Sequence, residues 1–453
     1  MAEDEVQEGP EHNQPGWPLP HRGRATNLHR STALTQFPHP TGIKQRQLPK
    51  NLLPDVPVGL NDFGHLTVRD ASGKLQASVP MFFCPNSPDP DRLSPSAPAT
   101  SPYPVECAND PFPLGQVWGV QKDWAIDPLQ SAIPLQLPTG TYRVTETVAP
   151  AYIRLFHLTA ADATASVNVT VVNGSPASPH QAAPRRPAPS ISTTSPPPPW
   201  APPRGPGAYS ETLPALPQAQ DLKEPPKNAL PDLIPLPAFQ IGTSTEASKD
   251  LLSFAAAVWV GGNSPLDIEG FRQHASPTMD AYQYFWRNGH VIGRARAGTM
   301  GFDSDSGHDH WHFKKFAEYR LLDSNKKLIL RSNKVGFCIS PTDPVNLLLP
   351  HATWQPPAIG FTGQCGSPTA LWVRETMPVG WGDTYLQHVA GQAFDITNLP
   401  NGIYYVETTA NPQKVLHETT TTNDSSLRKV ILSGTAGQRT VKVPAWNGID
   451  PEG

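Results

Sequence analysis

Leu137 to Val172 reads LPTGTYRVTETVAPAYIRLFHLTAADATASVNVTVV, and Leu399 to Leu432 reads LPNGIYYVETTANPQKVLHETTTTNDSSLRKVIL. Each stretch opens on a turn, Thr-Gly or Asn-Gly, and runs into alternating apolar residues. Each then breaks at a proline and resumes alternation. Alternation at period two marks a half-buried strand, so both stretches read as strand, turn and strand. The likeness continues upstream. VPMFFC, ending at Cys84, matches NKVGFC, ending at Cys338, and LLPDV at Leu52 matches ALPDL at Ala229. An internal repeat is the simplest reading. Short alternating strands, many turn residues and few helical patterns predict an all-β chain of two β-sandwich-like domains, the N-terminal one an incomplete repeat of the C-terminal one.

The 453 residues include 55 prolines, and the prolines cluster. Residues 175–226 contain SPASPHQAAPRRPAPSISTTSPPPPWAPPRGPG, a proline-rich linker expected to be partly extended. Residues 1–50 are polar, rich in proline and without periodicity, which predicts a disordered tail. The remaining segments are an N-terminal β domain, 51–174, and a C-terminal domain, 227–446. The net charge of −4 and the lack of any basic block argue against a nucleic-acid partner. No apolar run reaches the roughly 18 residues of a membrane span, and the first residues show no apolar signal-peptide core. Cys84 and Cys107 lie 23 residues apart, and Cys338 and Cys365 lie 27 apart. Two like-spaced pairs favour two disulfides, one per domain, each contributing about 3 kcal/mol in the chain-entropy model. That points to an oxidising, secreted or extracellular setting; four free thiols in a reducing compartment are the alternative.

The C-terminal domain carries chemistry. Asp303 to Asp323 reads DSDSGHDHWHFKKFAEYRLLD. In a strand, residues two apart share a face, so His308, His310 and His312 face one way and Asp309 and Trp311 the other. The first and third start about 13 Å apart, so the backbone must bend for all three to meet one ion, and Gly307 could permit the bend. Three imidazoles suit zinc, copper, iron or nickel. The spacing does not choose among them, and a polar strand of surface histidines is the plain alternative. A zinc hydrolase is disfavoured because no HExxH spacing is present.

GHDHWHFKKFAEYRLLD, NKVGFC, GWGDTY and FDITNLPNGIYYVETTANP resemble, in that order, the lysyl oxidase catalytic domain, over roughly Pro231 to Leu432. The resemblance implies copper on His308, His310 and His312. It implies a lysine tyrosylquinone cofactor built from Lys334 and Tyr385. The implied activity is oxidative deamination of a primary amine, such as peptidyl lysine, to an aldehyde, with dioxygen consumed and ammonia and hydrogen peroxide released. The partner is then a protein or small-molecule amine. Lys334 must attack as a free amine, which requires burial or a nearby cation to lower its pKa. Asp383 lies two residues before Tyr385 and shares its face in a strand; it is a candidate general base or a turn or cap aspartate. The resemblance further implies calcium on Asp232, the Leu233 carbonyl, Glu418, Asn423 and Asp424, with Thr420 standing where the family often has another acid. These oxygens suit a hard cation.

Two departures matter. The segment from Cys338 to Gly380 is longer than in the animal members, and its LLLPHATWQPPAIGF could shape or shield the substrate entrance. The N-terminal copy has Pro80 at the place of Lys334 and Lys122 at the place of Tyr385, while Asp55 and Asp162 match Asp232 and Asp424. The N-terminal domain is therefore expected to be non-catalytic, an accessory module. From another class, the whole chain could be a non-catalytic, metal-stabilised β-sandwich protein for binding or wall association.

Overall fold

The computed structural model describes residues 3–7, 34–37, 44–47, 52, 59–86, 90–126, 135–172, 209–213, 219–273, 276–304, 309–334, 336–355, 365–387 and 391–452. The described residues are built almost wholly of strands, as the alternation requires, with one α-helix at Pro150–Phe156.

Three sheets make the C-terminal part. The largest has seven strands, in the order Tyr209–Ser210, Trp372–Met377, Leu266–Phe271, Thr278–Arg287, His290–Asp303, His310–Lys314 and Gly336–Phe337. A second is centred on Lys249–Gly262 and orders Pro231–Pro235, Lys249–Gly262, Trp381–Tyr385 and Asp343–Pro344. The central strand contains the run FAAAVWV, Phe254 to Val260, which is buried throughout. A continuous apolar run rather than strict alternation is what a strand covered on both faces needs. The third sheet orders Leu328–Arg331, Ala317–Leu322, Gly402–Ala410, Ser425–Thr435 and Gln438–Lys442. Phe254, Trp311, Phe313, Tyr319, Phe337, Trp381 and Tyr385 belong to one core shared among these sheets.

The N-terminal unit has a sheet in the order Thr164–Val171, Gly140–Val148, Leu60–Asp70 and Leu75–Phe83. Its local chemistry parallels the third C-terminal sheet. The Tyr142 hydroxyl donates to the Pro138 carbonyl at 2.8 Å, and the Tyr404 hydroxyl donates to the Pro400 carbonyl at 2.9 Å. Asp70 Oδ1 accepts the amides of Ser72 and Lys74, and Asp323 Oδ1 accepts those of Asn325 and Lys327. The first pair of bonds lies within the two quoted stretches, at the residue two after each turn glycine. They differ after the proline break. Pro150 starts a helix that buries Tyr152 and Leu155, because AYIRLF places apolar groups at helical spacing, whereas the second copy turns at Asn411, φ 42°.

Disulfides join Cys84 to Cys107 and Cys338 to Cys365. Where they are described, the tail and linker carry short strands. Glu3–Gln7 lies parallel to Gly115–Trp118, with Leu34–Phe37 and Lys44–Gln47 beyond it; an open strand edge offers hydrogen bonds that a polar segment can take. Tyr209–Ser210 pairs with Trp372 and Val373, and Asp221 forms an ion pair with Arg294. The last part of the proline-rich stretch therefore lies along the C-terminal sheet. The rest of 1–50 and residues 173–208 lie outside the described residues.

The N-terminal unit does not stand apart. Phe112 is fully buried among Leu236, Phe239, Trp259 and Val345, with Trp446 edge-on at 5.2 Å. Burial of such a ring is worth about 3 kcal/mol. Val117 and Tyr103 reach the main core.

Candidate redox and metal centre

A hairpin presents the histidines. His290–Asp303 pairs with His310–Lys314, setting Gly301 opposite His312 and Asp303 opposite His310. Trp311 and Phe313 point into the core, so His310 and His312 take the other face. Asp309 takes φ 35°, a left-handed conformation that aspartate tolerates better than most side chains, so the backbone bends just before His310. The regular strand therefore begins at His310. His308 and Gly307 lie outside the described residues.

The His310 and His312 Nε2 atoms are 2.9 Å apart. Two nitrogens, each about 2.0 Å from one ion, are about 2.8 Å apart at a right angle and about 3.3 Å at a tetrahedral angle. The spacing fits neighbouring corners of a tetragonal ion, and imidazole nitrogens suit copper. Among the described residues no third His, Cys, Asp or Glu completes a metal-holding group. His312 Nδ1 faces Asp303 Oδ2 at 3.3 Å. A carboxylate there holds the ring orientation and leaves Nε2 for metal. Asp303 was not singled out in the sequence; the hairpin turn that sets it opposite His310 was the available signal. Asp303→Asn is expected to weaken copper binding about 10- to 100-fold, checked by competition with a chelator of known affinity.

Lys334 and Tyr385 meet. The Lys334 Nζ lies over the Tyr385 ring, 4.5 Å from its centre. Both side chains are buried. Burial lowers the Lys334 pKa, while Asp383 and Asp303 pull it back up. Burial thus acts in the direction that a free amine requires. Two close approaches shape this spot. At Gly391, φ 83°, a Cβ would sit 2.9 Å from the Lys334 backbone nitrogen, and at Gly336 a Cβ would sit 2.8 Å from the His312 Cβ.

Tyr385 comes from Trp381–Tyr385, whose partner is the central strand, with Ala256 opposite Tyr385 and Val258 opposite Asp383. Its hydroxyl donates to the Cys338 carbonyl at 3.1 Å, and the Trp311 amide donates to the Cys365 carbonyl at 2.7 Å. The Cys338–Cys365 disulfide therefore ties the acceptor of the phenol to the histidine strand. Burial pushes the Tyr385 pKa well up, helped by Asp383, Tyr319 and Glu375. The protein alone keeps this phenol protonated, and a nearby dication is the kind of charge that would reverse this.

Asp383 shares the face of Tyr385, as alternation requires, and is 1% exposed. Neither carboxylate oxygen accepts a well-formed hydrogen bond. Burial raises its pKa well above the usual range, against smaller pulls from Lys334, the Tyr385 hydroxyl and the Ser340 amide. A turn or cap role does not fit this position inside a strand. The surroundings that sequence reasoning missed are Tyr319, Glu375 and Gln392. Glu375 accepts the Ile339 amide at 3.0 Å, and Gln392 donates to the Tyr385 carbonyl at 3.2 Å. Tyr319 and Glu375 come from other strands and Gln392 from a loop, and none carries a motif of its own.

The second cation set also gathers. The Leu233 amide donates to Glu418 Oε2 at 3.1 Å, and Asn423 Nδ2 donates to Asp232 Oδ2 at 3.0 Å. Asp232 Oδ1, Asn423 Oδ1 and Asp424 Oδ1 are buried without partners. Burial, with Asp424 and Asp232 nearby, pushes Glu418 up to about 7, and burial with Asp232 pushes Asp424 up to about 6. Orphaned oxygens among mutually repelling acids fit a hard cation, although as placed no three acids close on one point. Thr420 bonds to Thr422 instead.

The lysyl oxidase family model matches residues 283–441. No curated protein matches the chain. The matched span holds the two described histidines, Lys334, Asp383, Tyr385, Glu418, Asn423 and Asp424, and Asp232 and Leu233 precede it. A hairpin of histidines, a buried amine stacked on a buried phenol and a carboxyl beside them lie within one matched span, and residues 283–441 of this chain are a lysyl oxidase family domain.

Proposed function

We propose that the C-terminal part, 227–446, is a copper-dependent amine oxidase. It deaminates a primary amine, peptidyl lysine or a related amine, to an aldehyde, using a lysine tyrosylquinone made from Lys334 and Tyr385. The observation that carries this reading is the Lys334 Nζ over the Tyr385 ring at 4.5 Å, both buried. His310 and His312 would hold copper, with His308 as the third ligand, and Asp303 would orient His312. Copper with dioxygen supplies the oxidation of the Tyr385 ring that lets the amine join it.

The chain's own groups do the rest. Burial leaves Lys334 Nζ more often without its third proton than a surface lysine. The hydrogen bond from Tyr385 to the Cys338 carbonyl holds the ring in plane. Asp383 would take a proton from the substrate carbon, and burial raises its pKa in the direction that favours holding it. The closed apolar surroundings, Phe337 edge-on to Tyr385 at 5.2 Å among them, keep water from the reacting carbons. Asp232, the Leu233 carbonyl, Glu418, Asn423 and Asp424 would hold calcium.

We read the N-terminal unit, residues 51–174, as a non-catalytic relative of the C-terminal one. Pro80 lies in the strand Leu75–Phe83 and brings no amine. Among the described residues no helix is long and apolar enough to cross a membrane. Two disulfides and the family support an extracellular setting.

The deciding experiment is peptide mapping of the intact protein after copper loading in air. A crosslinked Lys334–Tyr385 peptide is expected, together with labelling by a hydrazine. Metal-loaded protein with neither would leave the non-catalytic, metal-stabilised reading.

A further inference from the structure

The long segment between the two quinone precursors has an occupant. Residues 342–346 bond on one side to the Tyr385 strand. The Thr342 amide donates to the Gly382 carbonyl at 2.9 Å, the Thr384 amide donates to Thr342 Oγ1 at 2.7 Å, and the Val345 amide donates to the Gly380 carbonyl at 2.8 Å. On the other side they bond to the N-terminal unit. The amides of Leu114 and Gly115 donate to the Val345 carbonyl at 2.7 and 3.1 Å, the Leu347 amide donates to the Gly115 carbonyl at 2.8 Å, and Gln116 Nε2 donates to the Pro344 carbonyl at 2.9 Å. The described part of LLLPHATWQPPAIGF, up to Gln355, continues this contact: Gln355 donates to the Tyr103 carbonyl at 2.8 Å.

We propose that the N-terminal unit is a built-in part of the oxidase fold, clamped by residues 109–118, and that Asp343 is the positioning residue linking the clamp to the strand of Asp383 and Tyr385. Asp343 is fully buried. Its Oδ1 accepts the Asn109 amide at 2.9 Å, and its Oδ2 accepts the Asp110 amide at 2.7 Å and the Thr384 hydroxyl at 3.0 Å. One carboxylate thus holds two amides of the N-terminal unit and the residue between Asp383 and Tyr385.

A second buried carboxyl lies beside it. Asp110 accepts only the Phe112 amide, at 2.7 Å on Oδ1, and its Oδ2 is buried without a partner. Three donors suit an ionised Asp343, and an orphaned oxygen suits a neutral Asp110. Burial and the neighbouring charge act the same way, holding Asp110 well above the carboxylate range. The two aspartates should therefore answer the same substitution differently. An amide at 343 turns an NH2 group toward groups that can only donate or must donate, and leaves a buried donor unmet. An amide at 110 replaces a neutral acid with a neutral group of the same shape.

The test uses the full chain with a specific protease site placed between residues 173 and 208, cut after folding and run on size exclusion. The two halves of the parent and of Asp110→Asn are expected to co-elute. Asp343→Asn should weaken their association at least about tenfold, and Phe112→Ala should do likewise. After copper loading in air, the Lys334–Tyr385 crosslink per folded molecule should fall at least about fivefold in Asp343→Asn and stay unchanged in Asp110→Asn. Separation of the parent halves, or equal behaviour of the two Asp→Asn variants, would overturn the proposal. An unchanged crosslink yield in Asp343→Asn would overturn the positioning role. Should that variant not fold, hydrogen exchange of the parent decides: the Asn109 and Asp110 amides must exchange as slowly as those of residues 381–384, and fast exchange overturns the clamp. Association and exchange are read without turnover, so they stand or fall apart from the oxidase reading.

Discussion

Replacing Tyr385 by Phe is expected to leave a folded protein with no hydrazine-reactive carbonyl and no amine turnover. The structural cost is small. The substitution removes one hydroxyl, whose bond to the Cys338 carbonyl is worth about 1 kcal/mol net, and keeps the ring against Phe337. The chemical cost is complete, because the oxygen that must become a carbonyl is gone. Turnover should drop by at least about 10³-fold, as it does when a covalent route loses its reacting atom. Lys334→Met should match it in activity for a different reason: the ring remains, but no amine can join it. Its stability should hold or rise, since a desolvated amine is replaced by an apolar chain of similar length. Thermal melting alongside hydrazine labelling checks both variants. Residual turnover within tenfold of the parent in Tyr385→Phe would remove the quinone from the account.

The second large effect concerns Asp232, Glu418 and Asp424. Glu418 is pushed up to about 7 and Asp424 to about 6, above the values near 4 of an unfolded chain. A carboxyl whose folded pKa is raised holds its proton in the folded state after the unfolded chain has released it. Stability is then greatest below pH about 4, falls as pH rises toward about 7 and is flat above. Asp424 is only partly shielded, so the two shifts together amount to about 2–4 kcal/mol after solvent screening. In copper-free protein the melting temperature should fall by about 5–10 °C between pH 4.5 and 7.5. Millimolar calcium should flatten most of that slope, because the ion favours the ionised acids. Asp343, pushed up to about 7, adds a slope of the same sign that calcium does not touch. Identical pH profiles with and without calcium would show that these oxygens bind no such ion.

Much of this centre was legible in the residues. The alternation that places Asp383 and Tyr385 on one face of a strand holds, as does the opposition of His310 and His312 to Trp311. The cysteine pairs closed as their spacing suggested. Each of these is local, set by the two-residue period of a strand or by a short loop. The left-handed turn at Asp309, φ 35°, carried no glycine to announce it, because a polar side chain can also accept that backbone. The helix Pro150–Phe156 was hidden behind a proline that reads equally as a strand break.

What the linear order could not contain is who meets whom. Asp303, Glu375, Gln392 and Tyr319 are ordinary residues until three separate strands and a loop bring them beside Lys334 and Tyr385. Residues 109–118 looked like part of a self-contained N-terminal domain, yet their amides reach a carboxylate more than two hundred positions away. Period, turn chemistry and ligand types are written along the chain because each depends on neighbours two to four residues apart. The bonds from residues 109–118 to Asp343, the placing of amine over phenol and the burial that lowers that amine's pKa depend on sheets closing over one core, and only the folded molecule decides them.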